Sequence, residues 1–277
     1  MINIFDQMLN RYQIRTNDDY TNALHEVMQQ IALAGLYRGG FFKIAAFYGG
    51  TCLRIFYDTQ RFSEDMDFSL LQSDKQFKLE DYFESVNVEF KSLGREIIIV
   101  KKEKRNKTNI ESAFLKDDTA IYNLQFRTDK QVKIKIEVDT NPPSGFDTEY
   151  KLQLLPFSFT TRCYTLPDLY AGKMHALLFR NWKARVKGRD WYDFEWYVRN
   201  NVTLNFDHFC ERCYQFGSLQ SIKLTIETFK QLLNEKITQT NMESVKNDVR
   251  PFIRNQSELD IWSVDYFLQL VDMIKFK

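Results

Sequence analysis

The stretch GGTCLRIFYDTQRFSEDMDFSLL, residues 49–71, constrains the fold of this chain more than any other segment. From Arg61 to Phe68 polar residues alternate with mostly apolar ones, and a period of two is the geometry of a β-strand. The pattern predicts a strand whose polar face carries Arg61, Ser63, Asp65 and Asp67. Two carboxylates about 6–7 Å apart along that face favour a bound cation.

Two glycines, Gly49 and Gly50, directly precede a short helix-like segment, TCLRIFYD. Glycines let the backbone approach a ligand closely, and the free N–H groups at a helix N-terminus attract phosphate. Thr51 is a favourable N-cap residue for this helix. We therefore expect the start of the helix and the carboxylates of Asp65 and Asp67 to face one ligand that combines phosphate with a cation.

A third carboxylate is expected from QVKIKIEVDT, residues 131–140, which alternates cleanly between apolar and charged residues. Glu137 is the first candidate and Asp139 the second, since both lie on the polar face of this predicted strand. Mg²⁺ prefers hard oxygen ligands and is commonly shared with substrate phosphates, and Mn²⁺ is the alternative ion. Together with Asp65 and Asp67, such a carboxylate would suit a metal-assisted displacement at phosphorus.

The remaining periodicities divide the chain into an α/β half, residues 1–165, and a helical half, residues 166–277. From Leu166 onward the helical patterns are joined by short connections. The expected fold class is therefore α/β (α+β), with a mixed sheet and flanking helices followed by a helical C-terminal domain. In the first half, helices are predicted at 18–38 and 79–92, and strands at 95–105, 119–128, 131–140 and 157–165.

The formal net charge of +1 means that a nucleic-acid partner must meet a local basic patch. The run RNWKARVKGR, residues 180–189, contains Trp182 and lies close to Trp191 and Tyr192, and a basic and aromatic strip suits single-stranded RNA. The candidate RNA contacts are Arg180, Lys183, Arg185, Lys187 and Arg189. No stretch reaches the ~18 apolar residues of a membrane span, so no membrane partner is expected. Scattered cysteines favour a cytoplasmic protein with reduced thiols.

A zinc site is a weaker interpretation of the segment HFCERC, residues 208–213. Cys210 and Cys213 have the spacing of a ligand pair, but no second pair of cysteines or histidines stands at ligand spacing. An ordinary helical pair of cysteines is the preferred interpretation. His175 is expected to be a structural histidine, because on a helix it points away from its neighbour Lys173.

Two blocks of the sequence resemble a known family. The run GGTCLR…RFSEDMDFSL is similar to the nucleotidyltransferase motif of AbiEii-type toxins, within the polymerase-beta-like nucleotidyltransferase superfamily. The block KMHALLFRNWKARVKGRDWYDFEWYV, residues 173–198, matches as well: a lysine on a helix, an arginine one to two turns on, and then Arg-Asp-x-x-Asp. The resemblance covers about residues 45–200.

The resemblance implies a role for each matching residue. Asp65 and Asp67 would hold metal, Lys173 would bind phosphate, and Asp193 or its neighbour Asp190 would be the acid of the second block. Glu137 or Asp193 would accept the proton of the attacking hydroxyl. The implied nucleotide-binding residues are Gly49, Gly50, Thr51, Arg54, Arg61, Ser63 and Lys173. Ser63 has two interpretations: a small residue beside the metal, or a hydroxyl that is phosphorylated to silence the enzyme.

The implied activity is transfer of a nucleoside monophosphate from an NTP to an acceptor, with Mg²⁺ or Mn²⁺ and with release of pyrophosphate. The expected acceptor is the 3′ end of tRNA, the expected outcome is growth arrest, and the expected partner is a protein antitoxin. Two alternatives stay open at this point. One is nucleotidylation of a protein or a small molecule by the same fold, and the other is a non-catalytic scaffold that binds nucleotide or nucleic acid.

Overall fold

The computed structural model describes residues 3–101, 119–126, 133–180, 186–218 and 224–277. Its contacts divide the chain into two compact units. Unit 1 comprises residues 1–58, 62–142 and 148–163, and unit 2 comprises residues 59–61, 143–147 and 164–277. The sequence predicts a single domain boundary after residue 165. In the structure, two short segments of the first half, 59–61 and 143–147, belong to unit 2.

Unit 1 is built on a sheet with the strand order β3-β4-β5-β2-β1-β7-β6. The sheet is mixed, because β2 pairs in parallel with β5 and β1 with β7, whereas the β1–β2, β3–β4 and β4–β5 pairs are antiparallel. The strands are β1 (Ala45–Tyr48), β2 (Met66–Leu70), β3 (Ile97–Lys101), β4 (Thr119–Phe126), β5 (Lys133–Asp139), β6 (Thr148–Gln153) and β7 (Phe159–Tyr164). The helices are α1 (Ile4–Leu9), α2 (Asn17–Arg38), α3 (Gly49–Tyr57) and α4 (Phe83–Ser92).

The long helix α2 begins and ends where its sequence dictates. Thr16 caps its first turn: the hydroxyl accepts from the Asp19 backbone N–H at 3.1 Å, and the Asp19 carboxylate accepts from the Thr16 N–H at 3.0 Å. The helix stops at Arg38, before Gly39 and the left-handed Gly40. Most of its central residues are buried, so α2 forms a large part of the core of unit 1.

The cleanly alternating strand β5 confirms its pattern. Ile134, Ile136 and Val138 are buried, while Lys133 is exposed and Glu137 half-buried. The apolar face of the sheet thus packs into the core, and the charged face is available to bind a ligand. The predicted helices at 18–38 and 79–92 are confirmed, as are the strands around 97–101, 119–126 and 159–164.

Two local predictions are corrected by the structure, and one strand was missed. β2 begins at Met66, not at Arg61, because the carbonyls of residues 63–65 accept hydrogen bonds from side chains and not from a neighbouring strand. Helix α3 begins at Gly49 with Tyr48 as its N-cap residue, so Thr51 lies inside the first turn and is not the cap. β6, an edge strand of the sheet, was not predicted.

Unit 2 is mainly helical and carries a small two-stranded sheet that the sequence did not predict. Pro167 lies in the first turn of its first long helix, where its missing N–H costs nothing. Aromatic side chains fill its core, among them Trp191, Trp262 and Phe267, with ring centroids 5.1–5.2 Å apart in edge-to-face contacts to Phe267. Its elements are α5 (Leu166–Phe179), α6 (Gly188–Arg199), β8 (Thr203–Leu204), α7 (Phe206–Gln215), α8 (Ile226–Gln239), α9 (Met242–Val249), α10 (Val264–Asp272) and β9 (Lys275–Phe276).

The predicted fold class is confirmed: a mixed sheet with flanking helices is followed by a helical C-terminal part. Among the helices of the described ranges, none combines the length and apolar character that a membrane crossing requires.

Candidate active site

Two carboxylates of unit 1 stand directly opposite each other on neighbouring strands. In the parallel pair of β2 and β5, Asp67 is in register with Glu137, and Ser69 with Asp139. Neighbouring strands lie about 4.8 Å apart, and residues in register project from the same face. The structure therefore brings Glu137 next to Asp67. Asp139 lies two residues further along, is only 7% exposed, and accepts a hydrogen bond from the Asn141 backbone N–H at 3.0 Å.

Gly49 brings the start of helix α3 against the Asp67 carboxylate. Its φ of 82° lies in the left-handed region, where residues with a side chain are strained. In addition, a Cβ atom at this position would collide with the carboxylate oxygen of Asp67. Position 49 thus requires glycine for two reasons, and the positive end of the α3 dipole lies beside a carboxylate.

Thr51, in the first turn of α3, holds the segment that precedes β2. Its side chain is fully buried, and its hydroxyl donates to the backbone carbonyl of Asp65 and lies 2.9 Å from the Ser63 hydroxyl. The Thr51 hydroxyl is thus bonded to residues 63–65, and its predicted contact with nucleotide stays a prediction. Ser63 is itself half-buried, as are Asp65 and Asp67.

Glu137 is bound by a lysine, Lys135, that was not among the predicted site residues. Lys135, two residues earlier on β5 and on the same face, forms an ion pair with the Glu137 carboxylate. Burial alone would lower the pKa of Lys135. The hydrogen bond and charge of Glu137, with the charges of Asp65 and Asp67, outweigh burial and raise it. This face of the sheet is therefore acidic enough to hold a cation. The alternation of β5 already placed Lys135 on it.

Within the described ranges, no three carboxylate, histidine or cysteine side chains converge into a ready-made metal site. The predicted set of Asp65, Asp67 and Glu137 is thus not preassembled as a three-ligand cluster. The donors still fit Mg²⁺, which takes oxygen ligands and is usually held by one or two carboxylates plus substrate phosphates. Asp67 beside the α3 N-terminus supplies such a carboxylate, and Lys135 occupies the adjacent one.

Arg54 of α3, predicted to bind nucleotide, forms an ion pair with Glu26 of α2, with 2.8 Å between Nε and Oε2. Its guanidinium also lies 4.9 Å from the centre of the Phe62 ring. Both side chains of the ion pair are only 10% exposed, so this contact ties α3 to α2. A direct contact between Arg54 and nucleotide stays a prediction.

In unit 2, the Lys173 ammonium binds two buried carboxylates. It lies 2.8 Å from Asp190 and 2.8 Å from Asp193, which are three residues apart on α6. Burial alone would raise the pKa of Asp193. The charges and hydrogen bonds of Arg61 and Lys173 outweigh burial, so this pKa lies below its usual range. The pKa of Asp190 is lowered in the same way, chiefly by Lys173 against the effect of burial.

The alternation predicted that Arg61 lies on the polar face of a strand, and this prediction is wrong. Arg61 is 2% exposed, and its guanidinium binds Asp193 through two hydrogen bonds, of 2.5 Å from Nε and 2.6 Å from Nη2. The physical reason is that residues 59–61 belong to unit 2, where a buried arginine needs a carboxylate partner. Arg61 and Asp193 lie 132 positions apart in the sequence, so no local pattern could have paired them.

The predicted RNA-binding strip is described only in part. Lys183, Arg185 and Trp182 lie outside the described residues. Trp191 and Tyr192 are each 2% exposed and pack in the core of unit 2, so they are not part of a surface strip. The rest of the strip is half-buried: Arg180, Lys187 and Arg189.

Arg189 and Lys187, two of these half-buried cations, have surroundings that bear on an RNA contact. Arg189 lies 3.9 Å from the centre of the Phe252 ring. Burial lowers the pKa of Lys187 to about 8, and the charge of Asp190 offsets this only partly. Lys187 therefore still carries its charge for most of the time at neutral pH.

The histidines of unit 2 are structural. His208 is fully buried, and its Nδ1 lies 2.9 Å from the Ser144 carbonyl. His175 is 3% exposed and lies 3.2 Å from the Ser218 hydroxyl, with the Phe216 ring beside it. Cys210 and Cys213 are both free thiols on α7, and burial raises the pKa of each, to about 11 and about 12.

A mixed sheet flanked by helices, with acidic residues beside a glycine-led helix start and a helical unit after it, places the chain in the nucleotidyltransferase class. The chain belongs to the AbiEii family: the family described as nucleotidyl transferase AbiEii toxin of a type IV toxin–antitoxin system matches residues 31–270. It is therefore a nucleotidyltransferase of a toxin–antitoxin family, and that family implies an antitoxin partner.

Solved structures have the same fold. MenT4, a nucleotidyltransferase toxin from Mycobacterium tuberculosis, matches with a TM-score of 0.52 and 14% identity, over 97% of this chain and 88% of that one. JHP933 from Helicobacter pylori matches with a TM-score of 0.51 and 14% identity, over 91% of this chain and 89% of that one. At this identity the likeness concerns the fold alone. No match to a curated protein was found.

Proposed function

We propose that this nucleotidyltransferase uses Mg²⁺ to transfer a nucleoside monophosphate from an NTP to the 3′ end of a tRNA, and so blocks translation and growth. The observation that supports the chemistry is the pairing of Asp67 with Glu137 beside the glycine-led start of α3. It combines the two things that a nucleoside triphosphate with its metal needs: oxygen ligands for the cation and backbone N–H groups for phosphate.

The same arrangement explains why a cation is needed. A phosphate that approaches the N-terminus of α3 also approaches the Asp67 carboxylate, which lies against Gly49. The two negative charges repel each other unless a cation lies between them. Asp65 and Asp67 would hold Mg²⁺ there, with Glu137 as a third ligand. The ion would neutralise charge on the phosphates and polarise the bond that breaks.

Glu137 is the better proton acceptor of the two predicted candidates. Its side chain is 26% exposed, so the hydroxyl of an acceptor can reach it. Asp193 is fully buried and bound by both Arg61 and Lys173, and its lowered pKa makes it a poor base. In our proposal the ion pair with Lys135 orients the Glu137 carboxylate until substrate binds.

The role of Lys173 in phosphate binding stays part of the proposal. Its ammonium is held by Asp190 and Asp193, and its side chain is 13% exposed. An ammonium group fixed in this way needs no reorganisation, which is what stabilisation of developing negative charge requires. Both aspartates would then act by holding Lys173, which leaves no need to choose between them.

The tRNA acceptor and the phosphorylation of Ser63 are the finer parts of the proposal. Arg180, Lys187 and Arg189 supply positive charge for an RNA backbone, although the aromatic part of the predicted strip is buried.

A phosphate on Ser63 would lie near the Asp65 backbone and would repel nucleotide phosphates. Full activity of Ser63→Asp, compared with Ser63→Ala, would argue against that regulation.

The proposed function is tested by incubating the purified protein with total tRNA, Mg²⁺ and each α-³²P-labelled NTP in turn, beside an Asp67→Ala control. We expect a labelled tRNA band that is absent in the variant and in the presence of EDTA. Label on a protein band instead would favour nucleotidylation of a protein. Bound nucleotide without any transfer would favour a non-catalytic scaffold.

A further inference from the structure

Three consecutive backbone carbonyls lie just before β2, and buried side chains hold all three. The Gln29 side chain of α2 donates one hydrogen bond to the Ser63 carbonyl and another to the Glu64 carbonyl, both at 3.0 Å. The Thr51 hydroxyl of α3 donates to the Asp65 carbonyl. We call residues 63–65 the carbonyl segment. Among the strands that the structure describes, none pairs with it, so these contacts replace a sheet ladder.

Both residues that hold the carbonyl segment are fully inaccessible to solvent. Gln29 and Thr51 are each 0% exposed, while Ser63 and Asp65 are half-buried and Glu64 is exposed. The flanking side chains Phe62 and Met66 are buried at 6% and 0%. The segment is therefore anchored at both ends and held along its backbone from the inside.

The buried amide of Gln29 is used in an unusual way. Both of its bonds go through Nε2, and its Oε1 is buried without a hydrogen-bond partner among the described residues. A buried glutamine in a helix is unfavourable unless its polar atoms are bonded. The Oε1 atom thus stays unbonded, while the Nε2 group donates both of its hydrogen bonds to the carbonyl segment. This arrangement points to a role for Gln29 other than core packing.

We propose that Gln29 and Thr51 are positioning residues that fix the backbone of the carbonyl segment, and thereby aim the carboxylates of Asp65 and Asp67 at the metal. This inference rests on the proposed metal-dependent transfer. In this proposal both residues act through the backbone of residues 63–65 and not by direct contact with the ion. Residues behind metal ligands typically change metal affinity or activity by about 10- to 100-fold when they are lost.

The central experiment compares Gln29→Met with Gln30→Met. Both substitutions replace a glutamine of α2 by an apolar side chain of similar length. Gln30 donates to the Tyr12 hydroxyl at 3.0 Å, away from the carbonyl segment, so it is a matched control. Mn²⁺ binding to the purified protein is followed by electron paramagnetic resonance with the metal alone. The steady-state transfer rate is then measured as a function of metal concentration.

We expect Gln29→Met to weaken Mn²⁺ binding by about 10- to 100-fold and to raise the metal concentration that gives half-maximal activity by a similar factor. Gln30→Met should match the wild type in both measurements. Unchanged Mn²⁺ binding and an unchanged metal requirement in a folded Gln29→Met protein would overturn the inference. In a variant that stays fully folded under the assay conditions, a loss of stability alone does not shift the metal requirement, so the readout separates positioning from packing.

A second pair of variants decides the case in which Gln29→Met does not fold. Thr51→Val removes the hydroxyl at similar volume, and Thr51→Ser restores it. We expect weaker Mn²⁺ binding for Thr51→Val and recovery for Thr51→Ser; equal binding by the two would overturn the inference. Failure of the proposed function gives a different result: the wild type and Asp67→Ala would then bind Mn²⁺ equally.

Discussion

Asp67 and Glu137 occupy registered positions on two parallel strands, although they lie 70 positions apart in the sequence. Gly49 lies against the first of these carboxylates and Lys135 binds the second. The pair therefore has a helix start on one side and a cation on the other. The chemistry proposed for this family member can be tested at each of these contacts.

Replacing Gly49 by alanine should impair both stability and activity. The left-handed φ of 82° costs about 1–3 kcal/mol for alanine, and the new methyl group must displace the Asp67 carboxylate. A displacement of about 1 Å at a catalytic group lowers turnover by about 10²-fold. Nucleotide transfer and urea unfolding of the purified variant measure the two effects.

Gly94→Ala is the matched control for that experiment. Gly94 has a similar φ of 70°, but a Cβ there would meet no atom within 4 Å. We expect a comparable loss of stability with normal transfer activity. Equal loss of activity in both variants would mean that the effect of Gly49→Ala comes from backbone strain and not from the contact with Asp67.

Glu137 and Asp139 differ sharply in what their loss should do. Glu137→Gln should lower the turnover number by about 10²- to 10⁴-fold, the range expected for a general base. Asp139→Asn keeps the oxygen that accepts from the Asn141 N–H, so its turnover should stay within a few-fold of wild type. Steady-state kinetics with the labelled NTP decide between them. A larger loss for Asp139→Asn would move the third carboxylate to that position.

The polar face of β5 was predictable from sequence because strict alternation fixes which side chains share a face. The start of β2 was not predictable in this way. The alternation from Arg61 to Phe68 continues across a point where the chain leaves the sheet. Local pattern cannot report that Arg61 has a carboxylate partner on α6, because this contact joins distant parts of the chain.

Gln29 shows a second limit of sequence interpretation. A glutamine that stands beside a second glutamine in a long helix looks like an ordinary surface position, and the two carbonyl partners of Gln29 lie 34 and 35 residues away. Lys135, by contrast, was on the predicted polar face but had no reason to stand out until its contact with Glu137 was known. Motifs identified the acidic and glycine residues, whereas the residues that hold them needed the fold.

The buried pair of Arg61 and Asp193 should dominate the stability of its surroundings. Arg61→Met leaves Asp193 buried with fewer partners, and breaking a buried pair in this way typically costs about 3–5 kcal/mol. The control is Glu243→Gln: the Glu243 side chain is 68% exposed in its pair with Lys246, which predicts a loss below about 1 kcal/mol. Urea unfolding compares the two, and similar losses would contradict the assignment of Arg61 to a buried pair.

The stability of unit 2 should depend on pH through His208. Burial and the charge of Arg212 lower its pKa to about 4, and the bond to the Ser144 carbonyl only partly opposes this. The unfolded chain, with a His pKa of about 6.5, binds more protons between these two values, so the folded state loses stability as the pH falls from about 6.5 to about 4. At about 1.4 kcal/mol per pKa unit, the full loss is ~3 kcal/mol.

His208→Asn removes this titration while it keeps a side-chain amide that can donate to the Ser144 carbonyl. We expect the free energy of unfolding of the variant to fall less steeply than that of the wild type between pH 6.5 and pH 4. His25, whose pKa burial also lowers, stays in both proteins, so the difference between the two curves belongs to His208. Asp190 and Asp193, with lowered pKa values, lose their contribution only at lower pH and do not enter this window. Parallel curves for wild type and variant would mean that His208 is protonated as easily in the folded chain as in the unfolded one.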